Sequence, residues 1–466
     1  MTEFPLSGMA MRQHRQQAGL SQAKLAELTG VPQHALSAFE LGKSELPAPA
    51  VAKVVSALAS PADVAALSAR RKRYAKHSYS EAEFVPARAA RARATERNAS
   101  YVAELNELAR AHASNRGTAF KAVSLFSGCG GFSLGFSAAG FALQGFVELD
   151  ANLREIYRTN FHNSIEIGGD IASLSDASIQ QHAAAFGEID AIIGGPPCQG
   201  FSLAGKREVT DPRNSLFRHY LRFVDAMRPR VALLENVRLL TSMKSAEGDR
   251  VKDQIIDEFR RHGYRVAMFE INARSYGVPQ HRERVIFVAT RADLGIAPSI
   301  PQATHGATDD LFAPVTAPTT FADACSDLAY IESGGESADP LHRAVHHPDH
   351  VVRWLWDVPE GRSAHDNDNA ALRPPSGYNT TYKRQVWLEP AATVQTTFGM
   401  ISGCRNVHPI ATRALTVREA ARIQSFPDQF AFPGALGPTR TGIGNAVPPL
   451  LAFALAKHAR TLLQSL

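Results

Sequence analysis

Residues 121–132 read KAVSLFSGCGGF, a short apolar strand that runs straight into a glycine-rich turn. Glycines after a first strand let the backbone approach a ligand closely, as in nucleotide-binding α/β domains. The pattern continues downstream. SLGFSAAG (133–140) suits a helix, and LQGFVELD (143–150) a second strand ending in acids. EIDAIIGG (188–195), RVALLENV (230–237) and VIFVAT (285–290) are further apolar strands. Such strands alternating with helices predict a mainly parallel α/β sheet. Sheets of that kind bind ligands at the carboxyl ends of their strands.

The residues able to do chemistry fall at those ends. Phe126, Gly128 and Gly130 belong to the first turn, which is not a full G-x-G-x-x-G pattern. Glu148, at the end of the second strand, suits ribose hydroxyls. Asp170, in GGDI, could accept from an adenine amino group. Either acid taken singly is as well an exposed loop carboxylate. Gly194-Gly195-Pro196-Pro197 then leads into Cys198. The prolines stiffen the loop and the glycines leave room beside the thiol, which is one way to hold an exposed nucleophile. Glu235 ends an apolar strand, where a charge is costly unless paired or used. Arg282 and Arg284, in QHRER just before another strand, would point the same way on an extended segment. The alternative is a surface salt-bridge cluster. Asn445 and Val447 lie in GNAVPP, before the apolar helix LLAFALAKHARTLL, and could be plain helix-start punctuation.

Toward the N-terminus the periodicity changes. MRQHRQQA, SQAKLAEL, PQHALSAFE and PAPAVAKVVSALA read as four short helices broken at Gly30 and Gly42. The S-Q-x-x-L-A-x-x-x-G-V-x-x-x-x-L-S-x-x-E-x-G pattern resembles the phage repressor and Cro family of helix-turn-helix proteins. That resemblance implies a DNA-reading module with Gln33, His34 and Ser37 facing bases. A helical bundle for protein contacts is the bland alternative. Residues 61–117, rich in Ala and Arg, are expected to be helical linker.

Farther downstream, F-S-G-C-G-G-F, G-G-P-P-C-Q-G-F-S, E-N-V, Q-H-R-E-R, R-A-L-T-V-R-E-A-A-R-I-Q-S-F-P and G-N-A-V-P-P follow in this order. Together they resemble the DNA cytosine-5 methyltransferase family across about 121–290 and 405–466. The resemblance implies a Rossmann-like S-adenosylmethionine-dependent methyltransferase domain with a smaller target-recognition domain, preceded here by the all-α helix-turn-helix domain. The domains expected are 1–60, the linker 61–117, a catalytic and cofactor-binding part 118–291, a target-recognition region 292–412, and a returning segment 413–466. It further implies methyl transfer from S-adenosyl-L-methionine to carbon 5 of a flipped cytosine in duplex DNA. Cys198 would be the nucleophile, Glu235 would hold the ring, and Arg282 and Arg284 would carry charge beside them. Phe126, Gly128, Gly130, Glu148, Asp170, Asn445 and Val447 would bind the cofactor. Ser124 stands where many members carry an acid, and Leu149 where relatives are often aromatic. Gln199 and Ser202 would close over DNA, with Lys383 and Arg384 of the 343–412 stretch reading or gripping it. Pairing with a restriction endonuclease and control of its own operator are further expectations. A regulator with a dead catalytic domain and an RNA cytosine methyltransferase are the rivals; the intact motifs and the repressor-like module argue against them.

Composition sets the bounds. The chain has 466 residues, 44% hydrophobic and 20% charged, with a net charge of +5. This suits a multidomain globular protein. Residues 1–117 carry 16 Lys/Arg against 10 Asp/Glu, a balance that suits a polyanion partner. Residues 292–342 hold eight Asp/Glu and no Lys or Arg, so phosphates would repel them. No apolar run reaches a membrane-spanning length and no secretory core opens the chain. The four cysteines form no C-x-x-C pair, so neither a zinc site nor a disulfide framework is expected, and a reducing cytoplasm fits.

Overall fold

The structure, a computed structural model, describes residues 7–17, 20–58, 88–92, 94–115, 120–197, 216–244, 248–306 and 316–465. Seven strands form one sheet: β1 (Phe120–Leu125), β2 (Phe141–Val147), β3 (Ile165–Gly168), β4 (Ala191–Gly194), β5 (Val231–Val237), β6 (Tyr264–Asn272) and β7 (Glu283–Arg291). Their order is β3-β2-β1-β4-β5-β7-β6. The first five pair in parallel, and β7 inserts antiparallel between β5 and β6. Helices cover both faces, so the central strands are apolar throughout: every residue of β4 is buried. One apolar cluster lies on each side of the sheet, one holding Ala122, Ile193 and Leu233, the other Val123, Ile192 and Leu234. This alternation is the period-two geometry of strands.

The chain order reverses between β1 and β4, which places a crevice at the carboxyl ends there. Around it the helices start with local caps. Gly130, at φ +98°, caps the Gly131–Ala138 helix, and Asp150 caps Ala151–Asn160 through the Asn152 and Leu153 N–H groups. The Pro449–Gln464 helix packs back on Gly131–Ala138, so the end of the chain completes the domain that β1 begins.

Two regions depart from expectation. Within the supposed linker, residues 61–87 lie outside the described residues. The Glu96–Ser114 helix, however, buries Tyr101, Leu105 and Leu108 in the main core and packs on the Gly131–Ala138 and Phe321–Cys325 helices. Its apolar stripe needs a core partner, so it packs as part of the sheet domain. Within 292–412, the expected target-recognition region, Phe321, Ala322 and Ala324 join that same core, whereas Val351, Trp354, Leu355, Ala364, Ile401 and Val407 form a small cluster of their own.

The N-terminal helices are Gly8–Gln17, Gln22–Thr29, Gln33–Glu40 and Ala48–Leu58. Met11, Leu20, Leu25, Val31, Leu36 and Val54 are their core. Arg15 crosses it to clasp Glu40 through two nitrogens, at 2.6 and 2.8 Å, and Gln22 adds a third bond to the same carboxylate. Among the described residues, no helix is long and apolar enough to cross a membrane.

Candidate active site

A cavity of about 460 Å³ opens at the carboxyl ends of β1, β2, β4 and β5. Its floor is the turn after β1. Phe126 is held at φ +53°, an uncommon conformation for a residue with a side chain. The turn is pinned to β2, where Ser127 N–H donates to Val147 O at 3.1 Å. Glu148 receives the Gly128 N–H on one oxygen (2.8 Å) and the Asp150 N–H on the other (2.9 Å). Burial raises the Glu148 carboxyl above its ordinary range, and those N–H groups partly offset this. Asp170 lines the same cavity from the end of β3, its Oδ1 accepting from Ala172 N–H at 2.9 Å.

The far wall comes from the end of the chain. Asn445 and Val447 line the cavity after the Leu436–Asn445 helix. A side chain at Gly131 would meet Val447 O at 2.4 Å, so only glycine permits this wall to close on the turn. Ser124 also lines the cavity, but its hydroxyl accepts from Ser133, which accepts from Tyr157. The serine is thereby absorbed into the fold.

The reactive side is built by β4, β5 and β7. Register pairs Val237 with Arg284, which puts Arg284 diagonally across from Glu235 on one face. Arg284 Nε meets Glu235 Oε1 at 2.7 Å, and both side chains line the cavity. Gly195 sits against that carboxylate: a Cβ there would lie 3.0 Å from Glu235 Oε2. Asn236, which sequence reasoning left without a role, donates from Nδ2 to Pro196 O at 2.8 Å. It thereby fastens the Pro196-Pro197 loop to β5. Its only sequence signal was its place in E-N-V.

Some expected residues are elsewhere. Arg282 does not line the cavity. It is buried, and its guanidinium donates to Gly444 O (3.0 Å), Ala446 O (2.9 Å) and Val394 O (3.3 Å). Strand pairing starts at Glu283, so the alternation expected of Arg282 and Arg284 does not reach back to Arg282. Arg384 is likewise buried, with nitrogens on the Ala411, Ile410, His408 and Leu355 carbonyls. It has no surface to offer DNA; a fork of donors placed among unpaired carbonyls is used to bind a loop. Lys383 beside it is half-buried. Gln33 and His34 are exposed at the start of the Gln33–Glu40 helix, and Ser37 is half-buried one turn on. Cys198, Gln199 and Ser202 lie outside the described residues. Of the other cysteines, burial pushes Cys129 up to about 12, Cys325 is also buried, and Cys404 is exposed. Arg284 also lines a second cavity of about 350 Å³, shared with Arg238, His281 and Thr393.

A seven-stranded mixed sheet with a glycine turn and paired acid and base at its strand ends has the architecture of S-adenosylmethionine-dependent methyltransferases. Residues 120–460 match the family described as C-5 cytosine-specific DNA methylase. The chain belongs to that family and is a DNA (cytosine-5) methyltransferase. It is 37% identical over 339 residues to the Type II methyltransferase M1.HphI of Haemophilus parahaemolyticus, covering 72% of this chain and 85% of that one. It is 35% identical over 379 residues to M.DdeI of Desulfomicrobium norvegicum, covering 72% and 87%. A prophage-encoded E. coli chain described as a DNA modification methyltransferase superposes with a TM-score of 0.58 at 25% identity, covering 74% of this chain and 100% of that one. Residues 8–67 match a helix-turn-helix domain model.

Proposed function

We propose that the chain methylates carbon 5 of a cytosine turned out of a specific duplex site, with S-adenosyl-L-methionine as donor. The observation that carries this reading is the meeting of Glu148, Pro197 and the Glu235–Arg284 pair on one cavity. The donor suits that cavity: the close approach at Gly131 leaves backbone as its wall, and Glu148 sits where ribose hydroxyls can reach a carboxylate. Phe126, Gly128, Gly130, Asp170, Asn445 and Val447 would complete its seat. When bound, S-adenosylmethionine supplies an electrophilic methyl group.

Carbon 5 of cytosine is a poor nucleophile. Addition of the Cys198 thiolate at carbon 6 makes carbon 5 enamine-like and able to take a methyl group. Glu235 holds ring nitrogen 3 and the exocyclic amine as charge develops. Arg284, which already orients Glu235, stabilises charge at the ring carbonyl. A base then removes the carbon-5 proton, the carbon 6–sulfur bond breaks, and Cys198 is restored. The reacting carbon is shielded in the stack, so the base must leave the helix first.

The likeness to Type II methyltransferases supports pairing with a restriction endonuclease in the cell. The helix-turn-helix module, with Gln33, His34 and Ser37 on its third helix, supports binding to an operator. Labelled donor incubated with duplex DNA or transfer RNA tests the reaction. Label should enter DNA alone, and a duplex carrying 5-fluorocytosine should become covalently joined at Cys198. Label in transfer RNA only, or no adduct on folded protein with donor present, would overturn the proposal. Binding of the upstream region of its own gene no tighter than random duplex would remove the operator role.

A further inference from the structure

The Leu436–Asn445 helix ends at the cavity wall, and its last carbonyls have no partner further along the helix. Two buried side chains from elsewhere take them. Gln424 Nε2 donates to Ile443 O and also reaches Ala446 O at 3.4 Å. Arg282 Nη2 donates to Gly444 O and Ala446 O. Gln424 Oε1 accepts in turn from Gln280 Nε2 at 2.5 Å. Gln280 closes the network by donating to Ile423 O at 3.0 Å and accepting from Val394 N–H at 3.2 Å. Gln280 and Gln424 have no solvent-exposed surface at all. The wall they hold has little slack: a Cβ on Gly444 would lie 2.5 Å from Thr396 N.

We propose that Gln424 is a positioning residue for the methyl-donor cavity. It fixes the carbonyls on either side of Asn445 so that Asn445 and Val447 face the donor in one geometry. Through Gln280 it ties this wall to Val394, next to Thr393 at the second cavity. The donor seat and the segment around Val394 thus share one buried amide. Gln424 touches no reacting atom. Its loss should therefore weaken donor binding and leave the chemical step at saturation nearly unchanged. This inference rests on the reading that the cavity holds S-adenosylmethionine.

The test is titration calorimetry of the full chain with S-adenosylhomocysteine, alongside methylation kinetics. Gln424→Met keeps volume and removes both arms. Gln424→Glu keeps the oxygen that Gln280 needs and loses the donor toward Ile443 and Ala446. Both should weaken S-adenosylhomocysteine about tenfold, the equivalent of one buried hydrogen bond. The KM for the donor should rise in step while kcat stays within about threefold. Thr439→Val, which loses only a bond to Ala435 O within its own helix, is the stability control and should bind as wild type. If Gln424→Met does not fold, Gln424→Glu carries the test. No binding by wild type would sink the cavity reading. Wild-type binding with variants within twofold of it, or a fall in kcat at unchanged affinity, would sink the role of Gln424.

Discussion

Glu235 and Arg284 show how much one residue's setting decides. Each is charged at the end of an apolar strand, and each has its partner at 2.7 Å across the β5–β7 pair. Replacing Glu235 by Gln keeps shape and a hydrogen bond but removes the proton carrier. Turnover should fall by about 10²–10⁴-fold while S-adenosylhomocysteine binds as before, measured by label transfer and calorimetry. Equal turnover would exclude Glu235 from proton handling. Both residues were legible in the sequence because their type and place were unusual. The separation of Arg282 from Arg284 was not, because it depends on where strand pairing begins. The burial of Arg384 was hidden for a similar reason: its carbonyl partners gather from residues 355 and 408–411.

At the level of elements, two junctions bear most of the site. The first is the start of the Gly131–Ala138 helix against Val447. In Gly131→Ala the new methyl would need Val447 O to withdraw from 2.4 Å. Overpacking of this kind costs about 1–3 kcal/mol. We expect a lower Tm together with weaker S-adenosylhomocysteine binding; unchanged affinity would mean that the wall is not set by this contact. The second is the Arg15–Glu40 clasp between the first and third N-terminal helices. Burial alone would raise the Glu40 carboxyl, but the Arg15 and Gln22 hydrogen bonds bring it below its ordinary value. Arg15→Ala strands that carboxylate and should destabilise the N-terminal module by about 3–5 kcal/mol. Hydrogen exchange should show residues 7–58 opening while label transfer to DNA persists. Loss of both together would mean that the module and the methyltransferase body do not fold independently.

Across the whole molecule, four acids of the stretch 292–342 tie it to distant arginines. Asp323 pairs with Arg97 (3.3 Å), Glu332 with Arg88 (3.3 Å), Asp327 with Arg422 (2.6 Å) and Asp339 with Arg418. Arg88 also lies over the Trp356 ring at 4.1 Å and donates to Thr412 at 2.7 Å. A chain starting at residue 88 should therefore methylate DNA like the full protein, and one starting at 118 should be insoluble or inactive. Equal activity of the shorter chain would show that the Glu96–Ser114 helix is dispensable. Buried histidines set an acid limit. His347 Nε2 accepts from Ala414 N–H at 3.0 Å, and burial, then Arg413, pulls its pKa down to about 4. His408 Nδ1 accepts from Ile410 and Ala411 N–H, and burial lowers it also. The unfolded chain holds these protons up to about pH 6.5. Their contribution is thus complete above that pH and drains as pH falls toward 4. The denaturation midpoint should drop across that window, and His347→Gln should make the drop shallower. An unaltered slope would refute the assignment to His347.

What the sequence determined by itself were five of the seven strands (β1, β2, β4, β5 and β7), the glycine turn, the helix-turn-helix and the motifs at strand ends. These are local: apolar periodicity and turn residues act over a few positions, and they can be read without a partner. The tertiary structure alone decided which charged side chains face the cavity and which disappear into the fold. It made Arg282, Gln280 and Gln424 a brace, Arg384 a loop anchor, and residues 96–114 part of the sheet domain. Their partners lie tens to hundreds of residues away in the chain. Only the packed fold brings those donors and acceptors out of water and within bonding distance of one another.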